Sequence, residues 1–121
     1  MTTKVLIADD EPNIVVSLEY LMKREGYEVH VARDGEEALA ALRRLRPAIV
    51  LLDVMMPKKS GYEVLAAVRA DETLAGLKVL MLTAKGRDTD VAQGIGLGAD
   101  AYMTKPFSTQ ALAAKVREML S

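Results

Sequence analysis

The sequence alternates between short runs of β-branched and aliphatic residues and longer segments in which apolar residues recur with helical spacing. The first, third and fourth runs are almost continuously apolar, which is typical of parallel strands covered by helices on both faces. The second and fifth runs contain polar residues, which suits the edges of a sheet. The predicted strands are Lys4–Ala8, Glu28–Ala32, Ala48–Leu52, Lys78–Leu82 and Ala99–Met103.

The segments between these runs carry signals for helix starts. Asp34 precedes Glu37 at the spacing of a capping box, in which the first side chain accepts a hydrogen bond from the backbone N–H three residues on. The same spacing separates Ser60 from Glu63. Pro12 stands where a first-turn proline costs no hydrogen bond. The strand–helix alternation therefore predicts an α/β fold built as a doubly wound parallel sheet.

One predicted helix, over residues 88–97, is weaker than the others. Gly94 and Gly96 lie inside it, and each glycine costs about 1 kcal/mol relative to alanine in an exposed helix. Gly98 is its predicted C-terminal stop. A weak helix between the fourth and fifth strands suits an element that moves.

Length and composition narrow the classes of function. The 121 residues fit one domain, and the lack of cysteine excludes a disulfide framework, a thiolate metal site and a thiol nucleophile. A formal net charge of -1 without a basic block predicts no direct binding of nucleic acid. The apolar runs are far shorter than the roughly 20 residues of a membrane span, and the polar start is unlike a signal peptide. We expect a cytoplasmic protein that does not associate with membranes.

Polar residues follow four of the predicted strands at the edge where open parallel sheets bind ligands, beyond the carboxyl ends of the strands. Asp9 and Asp10 follow the first strand, and Asp53 follows the third. Thr83 follows the fourth strand, and Lys105 follows the fifth. If the first and third strands are neighbours, the three carboxylates converge.

Three converging carboxylates repel each other and require a cation or bound protons. A site of oxygen ligands without His or Cys suits a hard ion, and Mg²⁺ is the predicted occupant because it needs only one or two carboxylates. Lys105 adds a positive charge at this edge, and Thr83 adds a hydroxyl donor. Glu11 is interpreted differently, as an acidic residue favoured at a helix N-terminus.

Most enzyme classes do not fit these residues. His30 is the only histidine and lies in the middle of a predicted strand, which argues against Ser/His/Asp catalysis. A phosphate-binding glycine–lysine loop is absent, and the acidic first β–α turn would repel the phosphate of a nucleotide or a flavin. An ionised Asp53 could instead attack phosphorus and form an aspartyl phosphate, which requires mainly positioning and charge neutralisation.

The motifs at the strand ends are Asp9-Asp10, Asp53 within Leu51-Leu52-Asp53-Val54-Met55-Met56-Pro57, Gly61, Thr83-Ala84 and Lys105-Pro106-Phe107. Together they resemble the receiver domain of two-component response regulators. The resemblance covers essentially the whole chain, with each motif in its expected β–α position. It implies a single receiver domain over residues 1–121 without an output domain. It also implies a flavodoxin-like (βα)5 sandwich with strand order 2-1-3-4-5.

The resemblance assigns roles around a phosphorylation site. Asp53 is the phosphoacceptor, and Lys105 contacts the phosphoryl group. Mg²⁺ is held by Asp10, by Asp53 and by the backbone carbonyl of Met55, while Asp9 acts through metal-bound water.

The resemblance also assigns a switch. Thr83 hydrogen-bonds the phosphoryl group and moves on activation, and Tyr102 is the aromatic residue whose ring turns inward. The Lys105–Pro106 peptide is expected to be cis, as tertiary packing can enforce at proline. Phosphorylation thereby changes a protein-binding face formed by the last two β–α segments.

The partners implied by the resemblance are signalling proteins. A sensor histidine kinase or a histidine phosphotransfer protein donates the phosphoryl group. A downstream protein target, or an output domain linked covalently in a longer parent chain, receives the signal. A phosphorylation-dependent dimer is a further implied state. The domain catalyses its own phosphorylation and dephosphorylation with Mg²⁺ but is not a turnover enzyme.

Three alternatives remain open at this point. A Mg²⁺-dependent phosphohydrolase with an aspartate nucleophile typically carries a second Asp two positions later, where this chain has Met55. A receiver-like scaffold that is never phosphorylated would not need the complete acidic set. A flavin-binding domain of similar topology would show a flavin absorption spectrum.

Overall fold

The computed structural model describes residues 2–84 and 98–121, and these residues form five strands, four α-helices and one short 3-10 helix at Glu72–Leu74. The strands are β1 (Lys4–Ala8), β2 (Glu28–Ala32), β3 (Ile49–Asp53), β4 (Lys78–Ala84) and β5 (Ala101–Lys105). The helices are α1 (Pro12–Arg24), α2 (Gly35–Leu45), α3 (Gly61–Ala70) and α4 (Thr109–Leu120).

The five strands form one parallel sheet in the order β2-β1-β3-β4-β5, which confirms the predicted doubly wound α/β fold and its strand order. The polar strands β2 and β5 lie at the two edges, as their composition predicts. Ala8 of β1 pairs with Leu52 of β3. The residues that follow these two positions, Asp9 and Asp53, are therefore brought to the same end of neighbouring strands.

The core consists of two apolar layers, one on each face of the sheet. Successive side chains of a strand point to opposite faces, so Val50 and Leu52 pack under α2 and α3 while Ile49 and Leu51 pack under α1 and α4. All four side chains are fully buried. Burial of one such side chain is worth about 1.5–3 kcal/mol, so the central strand is among the best anchored parts of the fold.

The predicted helix starts are present. The Asp34 side chain accepts a hydrogen bond from the backbone N–H of Glu37 at 2.8 Å, and the Ser60 hydroxyl accepts one from Glu63 at 3.2 Å. Pro12 is the first residue of α1. Each side-chain cap satisfies a backbone donor that has no partner within its own helix.

Three strands extend further at their carboxyl ends than predicted, and β3 and β5 begin one and two residues later than predicted, at Ile49 and Ala101. Asp53 is the last residue of β3, Thr83 lies inside β4, and Lys105 is the last residue of β5. Backbone pairing continues past the apolar side chains, because the peptide groups of neighbouring strands still need hydrogen-bond partners whatever side chains they carry. The side chains expected just beyond the strands are therefore attached to the sheet itself.

The predicted helix over 88–97 lies outside the described residues. Gly98, its predicted stop, has a φ of +99°, a conformation that glycine adopts without steric penalty. Within residues 2–84 and 98–121, every helix is too short or too polar to cross a lipid bilayer.

Candidate functional site

Three aspartates meet at the carboxyl end of β1 and β3. Asp9, Asp10 and Asp53 each offer a carboxylate oxygen, and these oxygens all lie within 4.8 Å of one another. Asp9 and Asp53 are buried, whereas Asp10 is exposed. The parallel register of the two strands brings the three side chains together, although 44 positions separate Asp9 from Asp53 in the sequence.

Lys105 places an ammonium group among these carboxylates from the far edge of the sheet. Its Nζ lies 2.9 Å from Oδ2 of Asp9 and 3.3 Å from Oδ1 of Asp53. It also lies 3.2 Å from Oε1 of Glu11, and only 13% of the Lys105 side chain is exposed. The ammonium therefore partly neutralises the cluster.

The contact between Glu11 and Lys105 was not anticipated from the sequence. The sequence predicts Glu11 to be an acidic residue at a helix start, and it does occupy the N-cap position of α1, but its side chain caps no backbone donor. Its backbone N–H instead donates to Oδ1 of Asp9 at 2.9 Å. The available signal was the unbroken acidic run of Asp9, Asp10 and Glu11, together with a basic residue, Lys105, at another strand end.

The electrostatics of the cluster follow from burial and crowding. The pKa of Asp53 is raised from its usual 3.8 to about 6, chiefly by burial and next by the nearby charge of Asp9, while Lys105 opposes the rise. Burial lowers the pKa of Lys105, but its hydrogen bond with Asp9 and the charge of Asp53 outweigh this and leave the Lys105 pKa raised. One ammonium therefore does not fully compensate the charge around Asp53.

Thr83 and Tyr102 lie on the same face of the sheet in adjacent strands. Met81 pairs with Tyr102, and Thr83 stands two residues further along β4. The Thr83 hydroxyl is buried and has no hydrogen-bond partner among residues 2–84 and 98–121. A buried hydroxyl without a partner carries a free-energy penalty, so Thr83 holds a donor that a ligand could satisfy. The ring of Tyr102 is half-buried and packs against the apolar layer beneath α2 and α3.

The segment between β3 and α3 carries Met55 beside the carboxylates. The Met55 backbone N–H donates to Oδ1 of Asp53 at 3.4 Å, and the residue as a whole is 59% exposed. Gly61 closes the segment by donating its N–H to the carbonyl oxygen of Val54 at 2.8 Å. On the other side of the cluster, the Lys105–Pro106 peptide is cis, as expected.

The donor set fits Mg²⁺. The cluster offers only oxygen ligands, and the carboxylates outnumber the single ammonium that faces them. Hard cations that favour oxygen and keep several waters suit such a partly exposed site. His30 lies elsewhere, within β2, where its Nε2 is 2.7 Å from Oε2 of Glu28. Among the described residues, the carboxylates that come together as potential ligands are thus those of Asp9, Asp10 and Asp53.

Comparison with known proteins places this geometry in a family. The model of the response regulator receiver domain matches residues 5–117. The chain is 45% identical over 120 residues to the alkaline phosphatase synthesis transcriptional regulatory protein PhoP of Bacillus subtilis, in an alignment covering 99% of this chain and 49% of that protein. The chain therefore spans about half the length of this curated relative.

Solved structures show the same fold. The chemotaxis response regulator CheY4 of Vibrio cholerae is 32% identical with a TM-score of 0.92, over 99% of this chain and 100% of that chain. A CheY-like response regulator receiver domain protein from Methanospirillum hungatei JF-1 is 31% identical with a TM-score of 0.91, over 99% and 94%. The chain belongs to the family of response regulator receiver domains of two-component systems.

Proposed function

We propose that this domain is a phosphorylation-controlled switch in a two-component phosphorelay, with Asp53 as the phosphoacceptor. The observation that carries the proposal is the placement of Asp53, a buried carboxylate 3.3 Å from the Lys105 ammonium and within 4.8 Å of the other two aspartates. The family is one of signalling domains, which favours a switch over turnover catalysis.

The reaction is a displacement at phosphorus. A carboxylate oxygen of Asp53 forms a bond to phosphorus while the P–N bond of a donor phosphohistidine breaks, and the imidazole nitrogen keeps that electron pair and takes up a proton. The described residues contain one histidine, His30, which lies within β2 and pairs with Glu28. A separate sensor histidine kinase or histidine phosphotransfer protein therefore donates the phosphoryl group.

Mg²⁺ would be held by Asp10, Asp53 and the backbone carbonyl of Met55, with Asp9 acting through a bound water. When bound, it supplies positive charge that offsets the charge of the phosphoryl oxygens. The chain's own contribution is to hold Asp53 at a rigid strand end. Asp9 remains anchored by its hydrogen bonds with Lys105 and the Glu11 backbone.

Lys105 and Thr83 would respond to the modification. Phosphorylation adds about -1.5 to -2 charges and new acceptor oxygens at Asp53. The Lys105 ammonium then shifts towards those oxygens and away from Glu11, and the buried Thr83 hydroxyl gains the acceptor that it lacks among the described residues. Tyr102, on the same face as Thr83, turns inward as that space opens. These shifts change a protein-binding face.

The changed protein-binding face passes the signal on. A downstream protein, or an output domain linked to the receiver in a longer chain, reads the phosphorylated form. The relative from Bacillus subtilis, a transcriptional regulatory protein by its name, is about twice as long as the matched region. We propose that the domain acts in the cytoplasm and that phosphorylation can also favour a dimer.

Intact-mass measurement after treatment with acetyl phosphate tests the phosphoacceptor. Wild-type protein should gain one phosphoryl group in Mg²⁺ and almost none in EDTA, and peptide mapping should place it on Asp53. Asp53→Asn should stay unmodified, while Asp71→Asn, which changes the partly exposed aspartate at the N-cap of the 3-10 helix, should label normally. Equal labelling of Asp53→Asn and wild type would overturn the assignment.

A further inference from the structure

The first residue of α2, Gly35, lies directly against the segment that joins β3 to α3. A Cβ at this position would lie 2.7 Å from the carbonyl carbon of Lys59 and closer still to the Lys59 carbonyl oxygen and Cβ. Such separations are too short for non-bonded atoms. The φ of Gly35 is outside the left-handed region, which is occupied by Gly26 and Gly98 instead. Glycine is therefore required here for space and not for backbone conformation.

Backbone contacts secure the same place. The N–H of Gly35 donates to the carbonyl oxygen of Pro57 at 3.2 Å, and the N–H of Lys59 donates to the same oxygen at 2.8 Å. Between them, Lys58 adopts a φ of 68°, and its ammonium lies 3.7 Å from Oδ2 of Asp34. The start of α2 is thus hydrogen-bonded and ion-paired to a tight turn over residues 57–59.

A second glycine, Gly61, lies against the other end of the β3–α3 segment, where the segment leaves β3. A Cβ on Gly61 would lie 2.9 Å from Cα of Val54 and closer still to the carbonyl oxygen of Asp53. The segment of residues 54–60 is therefore held by close contacts at two places. Gly61, at the start of α3, lies against the end of β3, and Gly35, at the start of α2, lies against the turn at Lys59. Met55 lies between these two points.

We propose that Gly35 is a positioning residue for the metal site, setting Mg²⁺ affinity through the β3–α3 segment although it supplies no ligand atom. The inference rests on the proposed function, in which the Met55 carbonyl is a ligand. Met55 is only two residues from Pro57, whose carbonyl Gly35 binds and whose ring restricts φ. A displacement of the turn at Lys59 should therefore also displace the backbone of Met55.

Mg²⁺ affinity is sensitive to the position of this segment because of the coordination geometry that the ion requires. Mg²⁺ demands nearly octahedral geometry with ligands at about 2.0–2.1 Å, so displacement of one ligand by a few tenths of an ångström weakens binding. A carboxylate on a flexible side chain can follow the ion, whereas a backbone carbonyl moves only with its segment. Loss of outer contacts that orient ligands typically lowers metal affinity by about 10-fold to 100-fold, and we expect this range here.

The test compares three substitutions in the full chain. Gly35→Ala should weaken Mg²⁺ binding about 10-fold or more, measured by titration of backbone amide shifts. Gly76→Ala is the matched control, because a Cβ at Gly76 meets nothing within 4 Å. Val116→Ala, a buried change on α4, controls for general destabilisation. Both controls should bind Mg²⁺ as tightly as wild type. Wild-type affinity in Gly35→Ala, or an equal loss in Val116→Ala, would overturn the proposal.

Two further measurements separate the possible failures. In metal-free protein, Gly35→Ala should shift the amide resonances of Met55 and Lys59, whereas Gly76→Ala should not. If wild type itself binds no Mg²⁺, the proposed function fails, and unshifted Met55 and Lys59 amides in Gly35→Ala overturn the positioning role independently.

A double variant covers the case in which Gly35→Ala does not fold. Gly35→Ala with Lys59→Gly removes one of the close contacts and frees the backbone at residue 59, while the carbonyl of residue 59 must still move. It should fold and bind Mg²⁺ more weakly than Lys59→Gly alone. Equal affinity of these two variants would contradict the role of Gly35.

Discussion

Nζ of Lys105, on β5, lies 2.9 Å from Oδ2 of Asp9, a completely buried carboxylate at the end of β1, and two strands, β3 and β4, lie between them in the sheet. This contact spans the end of β3, where Asp53 stands 3.3 Å from the same ammonium. One side chain from an edge strand thus holds together two acidic groups that would otherwise repel each other. Asp53, which we propose as the phosphoacceptor, is thus part of a charge balance set by the protein's own side chains.

Loss of the ammonium should slow the chemistry and weaken the response. Lys105→Ala should still be modified by acetyl phosphate, but roughly 100-fold more slowly, since removal of one preorganised donor has an effect of this size. Amide shifts on addition of beryllofluoride should be smaller and should not extend to Thr83. Lys23→Ala, which removes an exposed helix lysine paired with Glu19, is the control and should behave as wild type. Full beryllofluoride shifts in Lys105→Ala would contradict the coupling role.

Stability without metal should depend on the charge of Asp53. Its pKa is about 6 in the folded protein and near 3.8 when unfolded, so the protonated form is favoured by folding. Its contribution to stability is complete below about pH 4 and is lost as the pH rises through about 6. Asp53→Asn keeps the shape without the charge.

In EDTA at pH 7, Asp53→Asn should therefore be more stable than wild type, by up to about 3 kcal/mol from the linkage of pKa to free energy. The difference should vanish near pH 4, as measured by urea unfolding. Asp71→Asn changes a partly exposed aspartate whose pKa is lowered by its hydrogen bonds with Thr73, so it should not stabilise. If Asp53→Asn were less stable than wild type at pH 7, the buried charge of Asp53 would not be destabilising the folded protein.

Mg²⁺ should stabilise the folded protein through the acidic cluster. A ligand that binds only the native state adds about 2.7 kcal/mol to the free energy of unfolding at 100 times its Kd. Asp10→Asn, which removes the exposed carboxylate of the cluster, should require a higher Mg²⁺ concentration for the same gain in Tm. Glu118→Gln, on the distant helix α4, should respond as wild type. An Mg²⁺ response in Asp10→Asn equal to that of wild type would remove Asp10 from the ligand set.

Arg69 should contribute strongly to stability from the opposite end of the sheet. Its guanidinium donates to the carbonyl oxygens of Gly98 at 2.8 Å and Leu77 at 3.0 Å, and to Oδ2 of Asp100 at 2.8 Å. Asp100 in turn accepts the N–H of Val79. The group therefore ties the end of α3 to the starts of β4 and β5.

Arg69→Lys should lower the free energy of unfolding by about 1–3 kcal/mol, because an ammonium cannot reproduce the planar fork and loses charge-assisted hydrogen bonds, including the partly buried one to the Leu77 carbonyl. A double-mutant cycle with Asp100→Asn should show coupling of about 0.5 kcal/mol or more. Arg43→Lys alters a single exposed pair with Asp71 at 3.4 Å and should change stability by less than about 1 kcal/mol. Similar losses of stability in Arg69→Lys and Arg43→Lys would argue against this role of Arg69.

The alternation of apolar runs and helical stripes was enough to predict a doubly wound parallel sheet and its edge strands, and short-range spacing predicted the caps at Asp34 and Ser60. These features depend on neighbours within a few residues, or on the burial that a strand's composition demands. The ends of strands were predicted less well. Thr83 and Lys105 were expected just beyond their strands and lie within them, because backbone pairing with the neighbouring strand extends the ladder past the apolar residues.

By itself, the sequence determined a doubly wound parallel sheet and marked Asp9, Asp10, Asp53, Thr83 and Lys105 as residues at its ligand-binding edge. Only the tertiary structure decided that Lys105 pairs with Glu11 as well as the aspartates, and that Gly35 must be glycine because a distant turn lies against it. The reason is physical: hydrophobic spacing is encoded along the chain, whereas contacts between residues far apart in sequence arise only when packed elements set the distances between them.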